Sequence, residues 1–585
     1  MKQFFKFMFA SMLGTFLTLV IMFFIFMGIV VSIVSLSSKD EVVISPNSIL
    51  QIKLDMPMVE RSSMQYIKFG SFQAGNMGLD DVLKNIKKAA NDQNIKGIYL
   101  DLNNVVAGMA SVEEIRNALK EFKTSGKFIV SYSEDYTQKA YYLASISDKI
   151  YLNPEGQLTF KGISGQLMFM KGTLKKLDVD VQIIRHGKFK SAVEPLMLDK
   201  MSEPNREQTL TYLTALWDQM LKGISESRHI EQEQLNTIAN SLGAQTAEDA
   251  LNQKLVDKLI YKDELIAELK ARCGKKESQK LSLISLTKYM DVADKSKRVR
   301  SKDRIAVIYA AGDIVSGDGD DQTVGSEPVS KAIREARLDD RVKAIVLRVN
   351  SPGGSALASE VIYREIILAK KVKPVVVSMS DLAASGGYWI SCAANKIIAQ
   401  PNTITGSIGV FGVVPNFQKF FNNKLGISFD GVKTNTYSDF PNVNRALTPF
   451  EQSVFQKDVE HIYSLFLKHV SEGRNLTIAQ VDSIGQGRVW SGADAKKIKL
   501  IDDFGGLDVA IKTAANLAKI SDYRLLNLPK QKDPFTKLFE ELTGGNEETR
   551  IQKELGDTYI YYQYLKSIKQ MKGVQARLPY ELMID

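Results

Sequence analysis

A serine stands at position 385 between an apolar run and two glycines, in Ser380-Asp-Leu-Ala-Ala-Ser-Gly-Gly-Tyr388. Pro374-Val-Val-Val377 before it reads as a buried strand and Trp389-Ile-Ser-Cys-Ala-Ala394 after it as a helix. A hydroxyl on such a strand-to-helix turn is held out on a sharp bend. Backbone N–H groups at the helix start favour negative charge developing there. That is a setting for a nucleophile. The plainer reading is a helix cap with glycines in a tight turn, because the segment is not the GxSxG of a hydrolase elbow. The preceding strand ends in a second turn, Asn350-Ser-Pro-Gly-Gly-Ser355. A Gly-Gly pair can aim a free N–H at a substrate oxygen, so Gly353 and Gly354 pair with Gly386 as a candidate oxyanion hole. Turns at the ends of consecutive strands lie side by side at the carboxyl edge of an α/β sheet. Their conjunction favours the chemical reading over either turn alone.

The elements that must position these turns occur twice. Ile95-Lys-Gly-Ile-Tyr-Leu-Asp-Leu-Asn103 matches Val342-Lys-Ala-Ile-Val-Leu-Arg-Val-Asn350 at an offset of 247 residues. The same offset pairs Phe128–Ser133 with Val375–Ser380, Tyr141 with Tyr388, Pro154 with Pro401, and Gly162 and Gly165 with Gly409 and Gly412. One register held over so long a stretch indicates a duplication. Each copy alternates β-branched apolar runs with helical spacing, which predicts α/β domains with buried parallel strands. The expected boundaries are 46–270 and 304–525, with a basic linker at 271–303 and a tail at 526–585. A docked helix is expected in that tail, near Tyr559-Ile-Tyr-Tyr-Gln-Tyr564.

Between Lys6 and Lys39 lie 32 residues without charge. About 20 apolar residues cross a bilayer, and a cleaved signal peptide has an apolar region of only about 7–15. The sequence therefore predicts a cytoplasmic segment 1–7 and an uncleaved transmembrane anchor at 8–36. Lys2 and Lys6 before the span keep that end cytoplasmic, which puts the body on the other side of the membrane.

Length and composition exclude several classes. The 585 residues are 44% hydrophobic and 24% charged, as in a globular protein, and are ample for more than one core. Cys273 and Cys392 are too few for a disulfide framework or a four-cysteine zinc site. Four histidines offer no HExxH, so neither metal nor cofactor is expected. A Ser-His-Asp enzyme stays open, with few histidines to draw on. The formal charge of +9 raises nucleic acid as a partner, but residues 271–304 carry eleven Lys or Arg against four acids. The imbalance belongs to the linker, and no nucleic-acid face is expected.

Taken together, Asn350-Ser-Pro-Gly-Gly-Ser355, Asp381-Leu-Ala-Ala-Ser-Gly-Gly-Tyr388 and Thr405-Gly-Ser-Ile-Gly-Val410 closely resemble the signal peptide peptidase A family. The resemblance is to its long, duplicated form within the ClpP/crotonase-like superfamily, and it covers nearly the whole body and the anchor. Gly187-Lys-Phe-Lys-Ser-Ala-Val-Glu-Pro195 resembles the family's lysine segment. The resemblance implies Ser385 as nucleophile, Lys190 as general base, Ser407 orienting the lysine, and oxyanion donors around Gly353, Gly354 and Gly386. It further implies a Ser-Lys endopeptidase that degrades cleaved signal peptides and other apolar peptides through an acyl-enzyme. The setting would be the inner membrane, with the body on the periplasmic side and assembly as a homo-tetramer.

The repeat supports this split. Offset 247 sets Gln138 opposite Ser385 and Val106-Ala107 opposite Gly353-Gly354, while offset 248 sets Ser438 opposite Lys190. Each copy holds what the other lacks. A lysine has an ordinary pKa of about 10.4, and burial lowers it by disfavouring the ammonium. Lys188 and His186 are the neighbouring rivals, expected to be a surface charge and a loop residue. Cys392 is expected in the core, and His461 and His469 to be incidental. Two other classes remain: acyl-CoA chemistry on a crotonase-like fold, which needs no serine nucleophile, and a non-catalytic peptide-binding scaffold.

Overall fold

The computed structural model describes residues 2–37, 43–62, 76–294, 301–320, 322–531 and 574–577. Each repeat builds a sheet from its apolar, β-branched runs. In the first repeat six strands run in the order Lys258–Leu259, Lys149–Leu158, Phe128–Tyr136, Ile95–Asp101, Ser48–Ile52, Leu283–Ser285, and every neighbouring pair is parallel. The second sheet runs Val489–Ser491, Ile404–Gly406, Val375–Ala384, Val342–Ser351, Arg304–Ala311, Arg524–Leu528, with Lys396–Ala399 and Asp503–Phe504 beside it. Helices Leu79–Asn91 and Met109–Lys123 of the first repeat reappear as Ser326–Leu338 and Ala356–Lys370, both ends displaced by the same 247 residues. Their inner faces follow helical spacing: Leu79, Val82, Ile86 and Ala89 are buried in one, Ser326, Val329, Ile333 and Ala336 in the other.

A third sheet joins the copies. Its order is Thr323–Gly325, Asp313–Val315, Gly353–Ser355, Val574–Arg577, Phe411–Asn416, Asp180–Arg185. The last pair is antiparallel and spans the repeat boundary, with Arg185 opposite Phe411 and Asp180 opposite Asn416. This pairing carries the chain after Arg185 into the second repeat.

One expectation changes. Part of the segment 271–303 belongs to the first repeat: Leu283–Ser285 pairs with Ser48–Ile52, and Leu286 and Tyr289 of the following helix are buried. The apolar residues between the lysines take part in the sheet and core, and the net charge hid them. In the tail, residues 532–573 lie outside the described residues, including the aromatic run at 559–564. What is described of the tail is a strand, Val574–Arg577.

At the other end, helix Lys2–Ser37 contains a segment, Gln3–Ile25, long and apolar enough to cross a membrane. Phe4, Phe7, Phe16 and Phe24 on it are exposed, so no core of the described residues covers this face.

Candidate active site

Strand Val375–Ala384 ends at Ser385, and helix Gly386–Trp389 begins at once, earlier and shorter than the helix expected over 389–394. Ser385 takes φ 55° and ψ −113°. For a residue with a Cβ this is a sparsely populated backbone state, of a kind that costs about 1–3 kcal/mol and persists where its surroundings over-determine it. Here the Ser385 N–H donates to the Gly406 carbonyl at 2.8 Å, and the Trp389 N–H donates to the Ser385 carbonyl at 2.8 Å. The side chain is thereby held in a fully buried position.

Lys190 reaches it from the other repeat. After strand Asp180–Arg185 the chain turns through Gly187, and the N–H groups of His186 and Phe189 donate to the carbonyls of Val410 and Gln486. These two bonds pin the loop against the second repeat. Lys190 Nζ lies 2.8 Å from Ser385 Oγ, 3.0 Å from Ser407 Oγ and 3.2 Å from the Ser407 carbonyl oxygen. Lys190 is completely buried, and burial alone holds its pKa well below the ordinary lysine range. A neutral amine has two N–H donors and one lone pair. That inventory matches two acceptors on Ser407 and one hydroxyl donor on Ser385. Gly487 makes the approach sterically feasible: at φ +81°, a Cβ there would stand 2.6 Å from Lys190 Cα.

Ser407 also has a positive φ, 51°, and its N–H donates to the Arg488 carbonyl at 2.7 Å. We expect Ser407→Ala to lower kcat about 10–100-fold with little change in KM. The loss corresponds to one hydrogen bond of about 1–3 kcal/mol to the amine, while the backbone carbonyl still holds the other. Steady-state kinetics on a peptide substrate read this directly; a KM effect alone would remove Ser407 from the lysine's positioning.

The two glycine turns do come together. Ser351 pairs with Ala383, which sets Gly353-Gly354 beside Gly386. A Cβ on Gly353 would meet the Gly386 nitrogen at 2.6 Å, and Gly353 has φ +102°, so only glycine fits. The Gly353 N–H, however, donates to Ser351 Oγ at 3.1 Å. Gly353 supplies the space.

The rivals are accounted for. Lys188 is exposed with Nζ over the Phe189 ring, and His186 stacks on Tyr463 at 4.0 Å between centroids. His461 is exposed, whereas His469 is buried, 2.9 Å from Glu360. Cys392 is buried. The repeat partners serve other ends: the Gln138 side-chain Oε1 accepts from the N–H groups of Lys161 and Gly162, and Ser438 is exposed in a turn.

Sequence reasoning missed two supports. Gln208 donates to the Phe189 carbonyl at 3.0 Å and to Ser191 Oγ at 2.8 Å, and accepts from the Val489 N–H at 3.1 Å, so it ties the lysine loop to the second repeat. Nothing in its spacing marks it. Buried Arg348 lies 2.7 Å from Glu60 and 2.7 Å from Glu114, both of the first repeat. Arg348 falls within the duplicated strand opposite Asp101, and an arginine replacing an acid in an otherwise apolar strand was the available signal.

Comparison with known proteins gives a consistent pattern. The family model for peptidase family S49 matches twice, over residues 121–276 and 367–521, once in each repeat. Protease 4 of Salmonella typhi is 40% identical over 477 residues, 80% of this chain and 76% of that protein. Protease 4 of Haemophilus influenzae is 37% identical, over 75% of this chain and 72% of its own. The chloroplastic serine protease SPPA of Arabidopsis thaliana is 34% identical, over 87% of this chain and 75% of that one.

Proposed function

The chain belongs to peptidase family S49, and we propose that it is a membrane-anchored endopeptidase in which Ser385 and Lys190 form the catalytic dyad and cleaved signal peptides are the substrates. That it is a serine-type peptidase with a duplicated domain follows from the family. The finer reading is carried by one observation: a fully buried lysine of one repeat, with its pKa lowered by burial, lies 2.8 Å from the strained serine of the other.

In this reading the Lys190 amine takes the Ser385 hydroxyl proton as Oγ attacks the scissile carbonyl. The N–H groups of Gly354 and Gly386 hold the developing oxyanion. Lys190 then passes the proton to the leaving amine and, in the second half, takes one from the water that releases the acyl group. Ser407 fixes the amine through both steps. The peptide would enter as an added strand beside Gly353–Ser355, so main-chain hydrogen bonds give affinity and side-chain pockets give selectivity.

The apolar exposed helix at the N-terminus supports anchoring, and Lys2 and Lys6 favour a cytoplasmic start with the body on the periplasmic side of the inner membrane. A body held at the bilayer would meet apolar peptides such as spent signal sequences. A homo-tetramer is part of the same reading.

A fluorophosphonate probe tests it. We expect one modified residue, Ser385, together with cleavage of a synthetic signal peptide, and loss of both in Ser385→Ala. Cleavage without labelling at Ser385 would assign the chemistry elsewhere. An unlabelled and inactive wild type would return the protein to acyl-CoA chemistry or to peptide binding without turnover.

A further inference from the structure

The duplication supplies its own comparison at the edge where the strands of each sheet begin. Lys96 lies at the start of strand Ile95–Asp101, and Lys149 opens strand Lys149–Leu158. Their counterparts at the offset of 247 are Lys343 and Lys396. In the second repeat both are paired, Lys343 with Asp303 at 3.8 Å and Lys396 with Asp502 at 3.6 Å. In the first repeat Lys96 and Lys149 are exposed and have no ion-pair partner among the described residues. The sequence supplies one reason: Asp303 precedes strand Arg304–Ala311, whereas Asn47 precedes strand Ser48–Ile52. The acids that remain nearby are engaged, Asp257 by Arg228 at 3.1 Å and Asp148 by Lys123 at 2.8 Å.

More lysines gather on this edge. Lys258 opens the neighbouring strand and is exposed. Helix Lys262–Arg272 returns the chain here, and Lys275 Nζ then donates to Ser282 Oγ at 2.7 Å and to the Lys280 carbonyl at 3.0 Å. The Ser282 carbonyl accepts from the Ile49 N–H at 2.9 Å, which fastens this turn to the start of strand Ser48–Ile52. Lys276 and Lys280 on the turn are exposed. Burial raises the Cys273 thiol beneath it, and Lys275 and Lys96 pull it back down, so the turn and the strand edge share one field.

The same edge receives the chain from the N-terminal helix. Ten residues lie between Ser37, the last of that helix, and Ser48, which pairs with Ile95 beside Lys96. So short a connection reaches at most about 40 Å. It keeps this edge close to the bilayer and makes any attraction between them intramolecular, so weak contacts are enough.

We propose that the amino edge of the first repeat docks on anionic lipid headgroups of the membrane that anchors the chain, with Lys96, Lys149, Lys258, Lys276 and Lys280 facing their phosphates. The inference rests on the anchor reading. Lysine meets a phosphate as a point charge and needs no fixed geometry, which suits a fluid surface. The edge of the second repeat, neutralised by its own acids, has no such attraction. Docking fixes the orientation of the body above the bilayer, which a single tether does not.

Amine footprinting tests this on full chains reconstituted in nanodiscs of phosphatidylcholine alone or of an equal mixture with phosphatidylglycerol. We expect acetylation of the five lysines, read by mass spectrometry, to be about five-fold slower in the anionic discs. Roughly 0.5 M salt will abolish the difference by screening. Exposed Lys331 and Lys457 of the second repeat will label alike in both. In the Lys96→Glu/Lys149→Glu/Lys276→Glu protein, Lys258 and Lys280 will lose their protection. A wild-type chain that stays in the discs and labels equally fast in both lipids overturns docking and leaves the anchor standing. Equal protection in both lipids assigns the covering of this edge to a second copy of the chain and also overturns it. A chain that does not remain with the discs removes the anchor and the docking together.

Discussion

Replacing Lys190 with methionine will lower kcat about 10²–10⁴-fold, the usual worth of a positioned general base, and will at the same time make the protein more stable. Methionine fills the volume with an unbranched chain and removes only the amine. The activity loss follows because no other titratable side chain approaches Ser385 Oγ within hydrogen-bonding distance among the described residues. The stability gain follows from linkage. The folded pKa of Lys190 lies below its unfolded value, so between the two the unfolded chain binds more protons and wild-type stability rises with pH. Removing the amine abolishes that dependence. The variant's advantage will be largest at low pH and will shrink as pH approaches the ordinary lysine value of about 10.4. Wild-type kcat/KM will rise with pH through the lowered Lys190 pKa and then level off. Thermal denaturation and peptide kinetics across pH check both halves. A variant that is no more stable than wild type near neutral pH would show that the amine is not buried at a cost.

Arg348→Met is expected to destabilise the protein by about 3–5 kcal/mol, the cost of stranding buried charges when one partner is removed. Arg348 is 1% exposed and bonds Glu60, Glu114, Ser378 and Ser380. Without it two carboxylates of the first repeat face each other in the interior. Burial already pushes Glu114 up to about 7, with Arg348 pulling it back down. The effect will reach the site as well: Glu60 also accepts from the Asn350 side-chain amide, whose Oδ1 accepts from the Leu382 N–H, and these bonds tie together the two strands that end in the glycine turns. Adding Glu60→Gln and Glu114→Gln will recover part of the lost stability, because the neutral amides remove the unpaired charge. Chemical denaturation of the single and triple variants separates this from simple loss of packing, which the added amides would leave unrepaired.

Much of the fold could be read from residue patterns. The offset of 247 paired the strands at 95–103 and 128–133 with those at 342–350 and 375–380, since buried strands write their pattern directly into local sequence. The helix pair Leu79–Asn91 and Ser326–Leu338, by contrast, lies before the aligned stretch and emerged only from the structure. The linker was drawn too long for the opposite reason. A three-residue strand and a five-residue helix at 283–290 carry too short a period to stand out among lysines. The site divided in the same way. Ser385, Gly353, Gly354 and Gly386 sit on turns whose geometry is local, and their residue types announced them. Lys190, Gln208 and the Arg348–Glu60–Glu114 cluster act over separations of about 200–300 residues, and no local pattern encodes such contacts.

What the sequence determined by itself is therefore the parts: two copies of one α/β unit, an apolar N-terminal segment, a serine on a strand-to-helix turn with two glycine turns beside it, and a lysine in the opposite copy. What the tertiary structure decided is their meeting. Antiparallel pairing of Asp180–Arg185 with Phe411–Asn416 brings Lys190 to Ser385 within one chain. Only the packed interior lowers the lysine's pKa, because desolvation is a property of everything that surrounds the amine and not of its neighbours in sequence.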